Sequence, residues 1–254
     1  MEQHKRGKFK KVSDIEQKPT QKKSKKNLIL FFVFLLGAGV GAFAYEAYTQ
    51  YKIEKESQVA VFDANDYKPL IYLYPTTQQL INVKLGHPQN LTHTYPVYKQ
   101  SGWQVVAEPN GTLIDPKTNR SYYGLYWEGK NTVPPNLKEG FVFEGKNTIP
   151  FLEEKLSQLG LTEKEANEFI IYWLPKMETA PYNFVRFQTL KEQNQNMPLE
   201  ITPNPDTIIR VLMEFKNLSA PIRVQEQILP PTPVRNGFVA VEWGGTDLNE
   251  TILK

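Results

Sequence analysis

Apolar and polar positions change their spacing several times along the 254 residues, and each change predicts a different element. From Asn27 to Tyr45, NLILFFVFLLGAGVGAFAY, no charge interrupts 19 residues. As a helix this run spans about 28 Å at roughly 1.5 Å per residue, close to the roughly 30 Å hydrocarbon core of a bilayer. It predicts one transmembrane helix. Residues 46–66 have mixed charge and no clear period, which predicts a polar stalk. Glu46, Ala47, Lys52, Glu54 and Lys55 allow the helix to continue into it for a few turns.

Residues 67–246 read as short strands with Pro and Gly between them. Lys68-Pro69-Leu70-Ile71-Tyr72-Leu73-Tyr74-Pro75 is apolar on both faces and bounded by prolines, so it predicts a buried strand. Ile209, Val211, Met213 and Phe215 alternate with Ile208, Arg210, Leu212 and Glu214; the fully apolar first set should face the core. Asn183, Val185 and Phe187 alternate with Phe184, Arg186 and Gln188. Further strands are predicted around Ile222, Val224 and Ile228, and from Phe238 to Trp243.

Two stretches take a helical period instead. Thr148 can cap the first, with Pro150 in its first turn and Gly160 as its stop. Phe151, Leu152, Lys155, Leu156 and Leu159 form its stripe. The second opens with the capping box Thr162-Glu163-Lys164-Glu165, carries Ala166, Phe169, Ile170, Trp173 and Leu174 on its inner face, and should end at Pro175. The expected fold is α+β: an antiparallel β-rich domain with a two-helix insertion over 67–246, preceded by a single transmembrane helix and followed by a short tail, 247–254.

Charge adds a direction. Residues 1–26 carry ten Lys or Arg against three acids, a net +7, while the rest of the chain is −4. Translocating Lys and Arg is unfavourable, so the basic tail should stay in the cytoplasm and the domain should lie outside, at the cell envelope. The tail sets topology and can also attract anionic headgroups. Two alternatives concern the anchor. Gly37 and Gly41 are spaced for close helix approach and self-association. Ala42-Phe43-Ala44 has the form of a signal-peptidase site, so cleavage following Ala44 would secrete the domain. Against cleavage, the flanking basic region and apolar run are both long. The chain has no Cys, which excludes disulfides, thiolate metal sites and cysteine lipidation.

The domain resembles an uncharacterised family of exported bacterial domains that opens with KPxIYLYP and closes with VEWGG. Lys68 to Pro75 carries the opening and Val241-Glu242-Trp243-Gly244-Gly245 the close. Between them lie Tyr95-Pro96-Val97-Tyr98, Gly102-Trp103-Gln104-Val105, Gly124-Leu125-Tyr126-Trp127-Glu128, Tyr172-Trp173-Leu174-Pro175-Lys176-Met177 and Pro181-Tyr182-Asn183. The resemblance implies a single exported domain over about 69–245. It brings no activity, cofactor or catalytic residue.

One segment is repeated: Gly124 to Pro134 recurs at Gly140 to Pro150, each copy running Gly, three apolar residues, then Glu-Gly-Lys-Asn-Thr-aliphatic-Pro. Repeated turn chemistry explains this, with Asn and Thr binding local backbone. A functional reading adds carboxylates. Glu128, Glu144 and Glu242 each adjoin an aromatic residue and shortly precede Gly. If two met in one cleft they could divide the roles of acid and ionised partner in glycosidic cleavage. Tyr122, Tyr123, Tyr126, Trp127 and Trp243 would then be candidates to stack on sugar.

Other chemistries find no support. His87 and His93 could bind zinc only with carboxylate help. No nucleophile elbow or phosphate-binding loop is present. No cofactor or metal is expected, and the acidic outer portion argues against nucleic acid. The expected partners are the lipid bilayer and a cell-wall glycan, a peptide or a protein, including the partners of a membrane complex. Binding is the first expectation; a glycan hydrolase using paired glutamates and a non-catalytic subunit of a membrane complex are the alternatives.

Overall fold

The computed structural model describes Gly41, Tyr45, Tyr48, residues 62–250 and residues 252–253. The chain divides into units 1–59 and 60–254. Gly41, Tyr45 and Tyr48 are helical. The basic tail, the rest of the apolar run with Gly37 and Ala44, and most of the stalk lie outside the described residues. No helix among the described residues is long and apolar enough to cross a membrane.

The second unit is a mixed α+β fold, rich in sheet. It opens with β1 (Phe62–Tyr74), β2 (Gln79–Leu85), β3 (Leu91–Tyr95), β4 (Trp103–Ala107), β5 (Leu113–Ile114), β6 (Ser121–Tyr122), β7 (Leu125–Asn131) and β8 (Glu139–Glu144). Helices α1 (Thr148–Gln158) and α2 (Glu163–Met177) follow, then β9 (Tyr182–Phe187), α3 (Leu190–Asn196) and β10 (Leu199–Thr202). The chain ends with β11 (Thr207–Leu218), β12 (Gln225–Glu226), β13 (Val239–Asp247) and β14 (Ile252–Leu253). The large sheet runs β12-β8-β9-β11-β13-β1-β7-β3, with β14 also paired to β1; the small one runs β10-β2-β4-β5-β6.

β1 explains the layering. Leu70 and Tyr72 join a core with Leu152, Leu156, Phe169, Trp173 and Met177 of the helical pair. Ile71 and Leu73 point the other way, into a second core with Ile81, Val83, Trp103 and Val105 of the small sheet. A strand buried on both faces must be apolar at every position, as this one is from Leu70 to Leu73. Ile209, Val211, Met213 and Phe215 face the helical pair.

Several details depart from the sequence expectation. The domain begins upstream of residue 67, because β1 starts at Phe62 and both Ala64 and Asp66 are buried. Its C-terminal end also runs into the expected tail, with Asp247 and Leu248 buried and β14 paired to β1. The large sheet is not wholly antiparallel: β11 and β13 pair in parallel, as do β8 and β12. Parallel neighbours need a long connection, and the proline-rich stretch between Leu218 and Val239 supplies one. Only Gln225–Glu226 of the strand expected around 222–228 forms.

Helix α2 has its capping box, with Glu165 N–H donating to Thr162 and Thr162 N–H to Glu165. It runs through Pro175 to Met177, because Glu178 N–H still bonds Leu174 carbonyl beyond the proline. Thr148 is inside α1 rather than capping it; its hydroxyl donates to Gly145 carbonyl at 2.6 Å. Helix α3 was not expected, although Thr189 and Glu192 form a second capping box.

The repeat diverges after its glutamate. The first copy stays in β7 to Asn131, whose side-chain oxygen accepts from Val133 N–H. The second leaves β8 at Glu144 for a single 3-10 turn and α1.

Candidate functional site

The helical pair leaves a flank of the large sheet uncovered, and there the neighbouring strands β1, β7 and β3 present aromatic residues. Leu70 pairs across with Tyr126, and Tyr126 with Tyr95, so the three form a row on one face. The segment from Arg120 to Gly124 lies beside that row. Together they line a pocket of about 340 Å³ with Tyr95, Tyr122, Tyr123, Tyr126, Lys68 and Arg120 around it. Tyr95 and Tyr123 are 51% and 57% exposed. Tyr95 meets Tyr122 edge to face at 5.4 Å. Alternation explains the grouping: Tyr126 shares a face with Glu128, and Leu125 and Trp127 fall on the other.

Lys68 owes its place to an irregularity. The pairing of β1 with both neighbours shifts register between residues 66 and 70. Within this bulge Lys68 has φ +60°, a left-handed conformation uncommon for a residue with a side chain. Its N–H donates to Glu128 Oε1 at 3.2 Å. Its ammonium sits 5.7 Å from the Tyr126 ring centre and 5.8 Å from that of Tyr172 on α2. Gly244 makes room for the bulge: a Cβ there would meet Pro69 Cα and N at 2.8 Å. The Lys68-Pro69 and Gly244-Gly245 segments are thus two halves of one contact.

Glu128 braces this corner. Its other oxygen is 3.6 Å from His93 Nδ1 on β3. Burial, a hydrogen bond to Glu128 and its charge raise the Tyr126 hydroxyl pKa above the usual phenol value. Burial and then the Glu128 charge push Tyr172 up to about 12. Both phenols therefore stay protonated, with neutral rings and donor hydroxyls.

The other carboxylates lie elsewhere. Trp127 and Trp243 are both fully buried and offer no stacking surface. Trp127 Nε1–H donates to Glu242 Oε1 at 2.9 Å, so Glu242 lies on the small-sheet face, opposite to Glu128. Arg210 Nε donates to Glu242 Oε2 at 2.6 Å, and its other nitrogens bond Asn194 and the Met197 carbonyl. Glu144 is on β8, toward the far edge of the large sheet, and pairs with Lys146. The three glutamates share no cleft. Two carboxylates flanking one scissile bond must face it together, and the parity of β7 against β13 prevents that for Glu128 and Glu242.

A buried polar layer escaped the sequence reading. Asp66 accepts from Asn131 at 2.9 Å, from Thr246 at 2.6 Å and from Asn196 of α3 at 2.6 Å. Burial outweighs these donors and pushes its carboxyl up to about 6. Nearby, Arg186 donates to Glu214 at 2.7 Å and to both oxygens of Glu192 at 2.9 and 3.0 Å. The layer joins α3 to the sheet, and most of its polar atoms are paired, although Arg186 Nε is buried without a partner. Among the described residues no group of three or more His, Asp or Glu is arranged to hold a metal ion.

Of the pocket residues, Tyr122, Tyr123 and Tyr126 were expected from sequence. Tyr95, Lys68 and Arg120 were not, since only strand pairing and the bulge bring them in. No family model, curated protein or solved structure matches this chain.

Proposed function

We propose that this chain is a single-pass, membrane-anchored protein of the cell envelope whose outer domain binds a glycan in the tyrosine pocket. The observation that carries the binding reading is the pocket itself: four tyrosines around about 340 Å³, two of them more than half exposed. Exposed aromatic rings are costly to leave in water, and concave sites lined by rings and a few polar groups are the usual form of a ligand pocket. Tyrosine suits a sugar, because the ring covers the apolar C–H face while the hydroxyl bonds sugar oxygens. The uninterrupted apolar run from Asn27 and the +7 tail before it support the anchor and its orientation.

The test is retention of the purified full-length chain on envelope glycan, with Tyr95→Ala and Tyr123→Ala as variants. Both side chains are substantially exposed, so both variants should fold. Each should lower retention several-fold. Retention that is absent at low salt, or unchanged in both variants, defeats the proposal. The anchor is tested separately by protease added to intact cells, which should digest the domain.

A further inference from the structure

We infer that the sugar read in this pocket carries an anion, a carboxylate or a phosphate, held between Lys68 and Arg120. The inference rests on the glycan-binding reading and adds the charge of the ligand.

It starts from a contrast among the cations of the domain. Arg186, Arg210 and Arg235, all ordered against the fold, each pair with a carboxylate: Glu214, Glu242 and Glu165 at 2.7, 2.6 and 2.9 Å. Lys176 pairs with Asp247. Lys68 and Arg120 line the pocket and, among the described residues, neither has a carboxylate within ion-pair distance; half-buried Lys68 differs in this from the cations above, whereas Arg120 is exposed, as are other unpaired cations such as Arg223 and Lys84. Each instead lies near two tyrosine rings. The Lys68 ammonium lies over Tyr126 and Tyr172; the Arg120 guanidinium is 5.9 Å from the ring centres of both Tyr95 and Tyr122. Ring faces orient a cation without neutralising it, leaving its N–H donors available.

Lys68 is also positioned at a cost in backbone strain. A left-handed lysine before a proline persists only where the surroundings impose it, and such strain clusters at ligand sites. Glu128, the nearest brace, spends one oxygen on the Lys68 amide and turns the other to His93. A neutral sugar would stack on the tyrosines and leave both cations without a counter-charge. An anionic sugar satisfies rings and cations together, with charge-assisted bonds at the pocket's Lys68 and Arg120 positions.

The experiment is a titration of the full-length chain, in a detergent that contains no sugar, with three probes. N-acetylmuramic acid carries a carboxylate, glucose 6-phosphate a phosphate, and N-acetylglucosamine no charge. An acidic peptide is run beside them. At low salt at least one acidic sugar should bind ten-fold or more tightly than the neutral one, and 0.5 M NaCl should erase most of that preference. Which acidic probe wins identifies the anion. Lys68→Met and Arg120→Met should each lower acidic-sugar affinity far more than neutral-sugar affinity, so that most of the preference is lost. Equal binding of acidic and neutral sugars overturns the charge assignment and leaves the glycan pocket standing. Tighter binding of the acidic peptide than of any sugar overturns the sugar class. Failure of every sugar, charged and neutral, overturns both this inference and the function beneath it.

Discussion

Glu242→Gln separates a structural carboxylate from a catalytic one. The native side chain is fully buried and accepts from Arg210 Nε at 2.6 Å and from Trp127 Nε1 at 2.9 Å. Glutamine keeps the shape but has one acceptor oxygen. If that oxygen faces Arg210, the amide N–H₂ confronts the Trp127 N–H; turned over, it confronts the guanidinium. Either way Arg210 stays charged and buried without a carboxylate, and its other partners are Asn194 and the Met197 carbonyl, both uncharged. Removing one member of a buried pair costs about 3–5 kcal/mol. For a unit of this size each kcal/mol lowers Tm by about 2–4 °C, so a fall of about 10 °C is expected. Thermal unfolding followed by circular dichroism, with urea titration as a second measure, reads it. Glu144→Gln, at an exposed pair, should stay within about 0.5 kcal/mol of the parent. Replacing both partners, Arg210→Met with Glu242→Leu, should recover much of the loss. A Glu242→Gln variant that melts within about 2 °C of the parent would refute the buried-pair account.

Three further outcomes follow from the same geometry. The Asp66 carboxyl stands at about 6 in the fold against an ordinary 3.8. Between those values the folded chain holds a proton that the unfolded chain has released, so the Asp66 contribution should fall by about 3 kcal/mol in all as pH rises, about 2 kcal/mol of it between pH 4 and 6. Asp66→Asn should flatten that part of the pH–stability curve, and a parent and variant with parallel curves would contradict the burial argument. G244A places a methyl against the Pro69 backbone, where a Cβ would come within 2.8 Å, and should cost about 1–3 kcal/mol in urea unfolding. Lys68→Gly removes the left-handed strain at φ +60°, so stability should hold or rise by about 1 kcal/mol while the preference for an acidic sugar disappears. Loss of stability in that variant would mean the side chain is a structural prop.

Local patterning carried much of the fold. β1 could be read because Leu70 to Leu73 is apolar at every position, which only a strand covered on both sides can use. The α2 start was legible because the Thr162–Glu165 box is a contact between near neighbours. The same chemistry at Thr189 and Glu192 passed unread, because α3 is short and polar and has no apolar stripe to announce it. Parallel pairing of β11 and β13 was not legible, since alternation within a strand is the same whichever way its neighbour runs.

The site divides along the same line. Composition singled out the tyrosines around residue 124 and the glutamates beside aromatic residues, because such residues are locally conspicuous. It could not rank them. Whether a side chain at a strand position meets water or core depends on which face the neighbouring layer covers, and that is a long-range fact. Trp127 and Tyr126 are adjacent in the chain, yet one is sealed against Glu242 and the other opens into the pocket. The chain alone determined the alternations, the helix start and the supply of aromatic residues. The tertiary structure decided which parity faced solvent, and so placed Lys68 and Arg120 among tyrosines while committing Glu242 to an arginine.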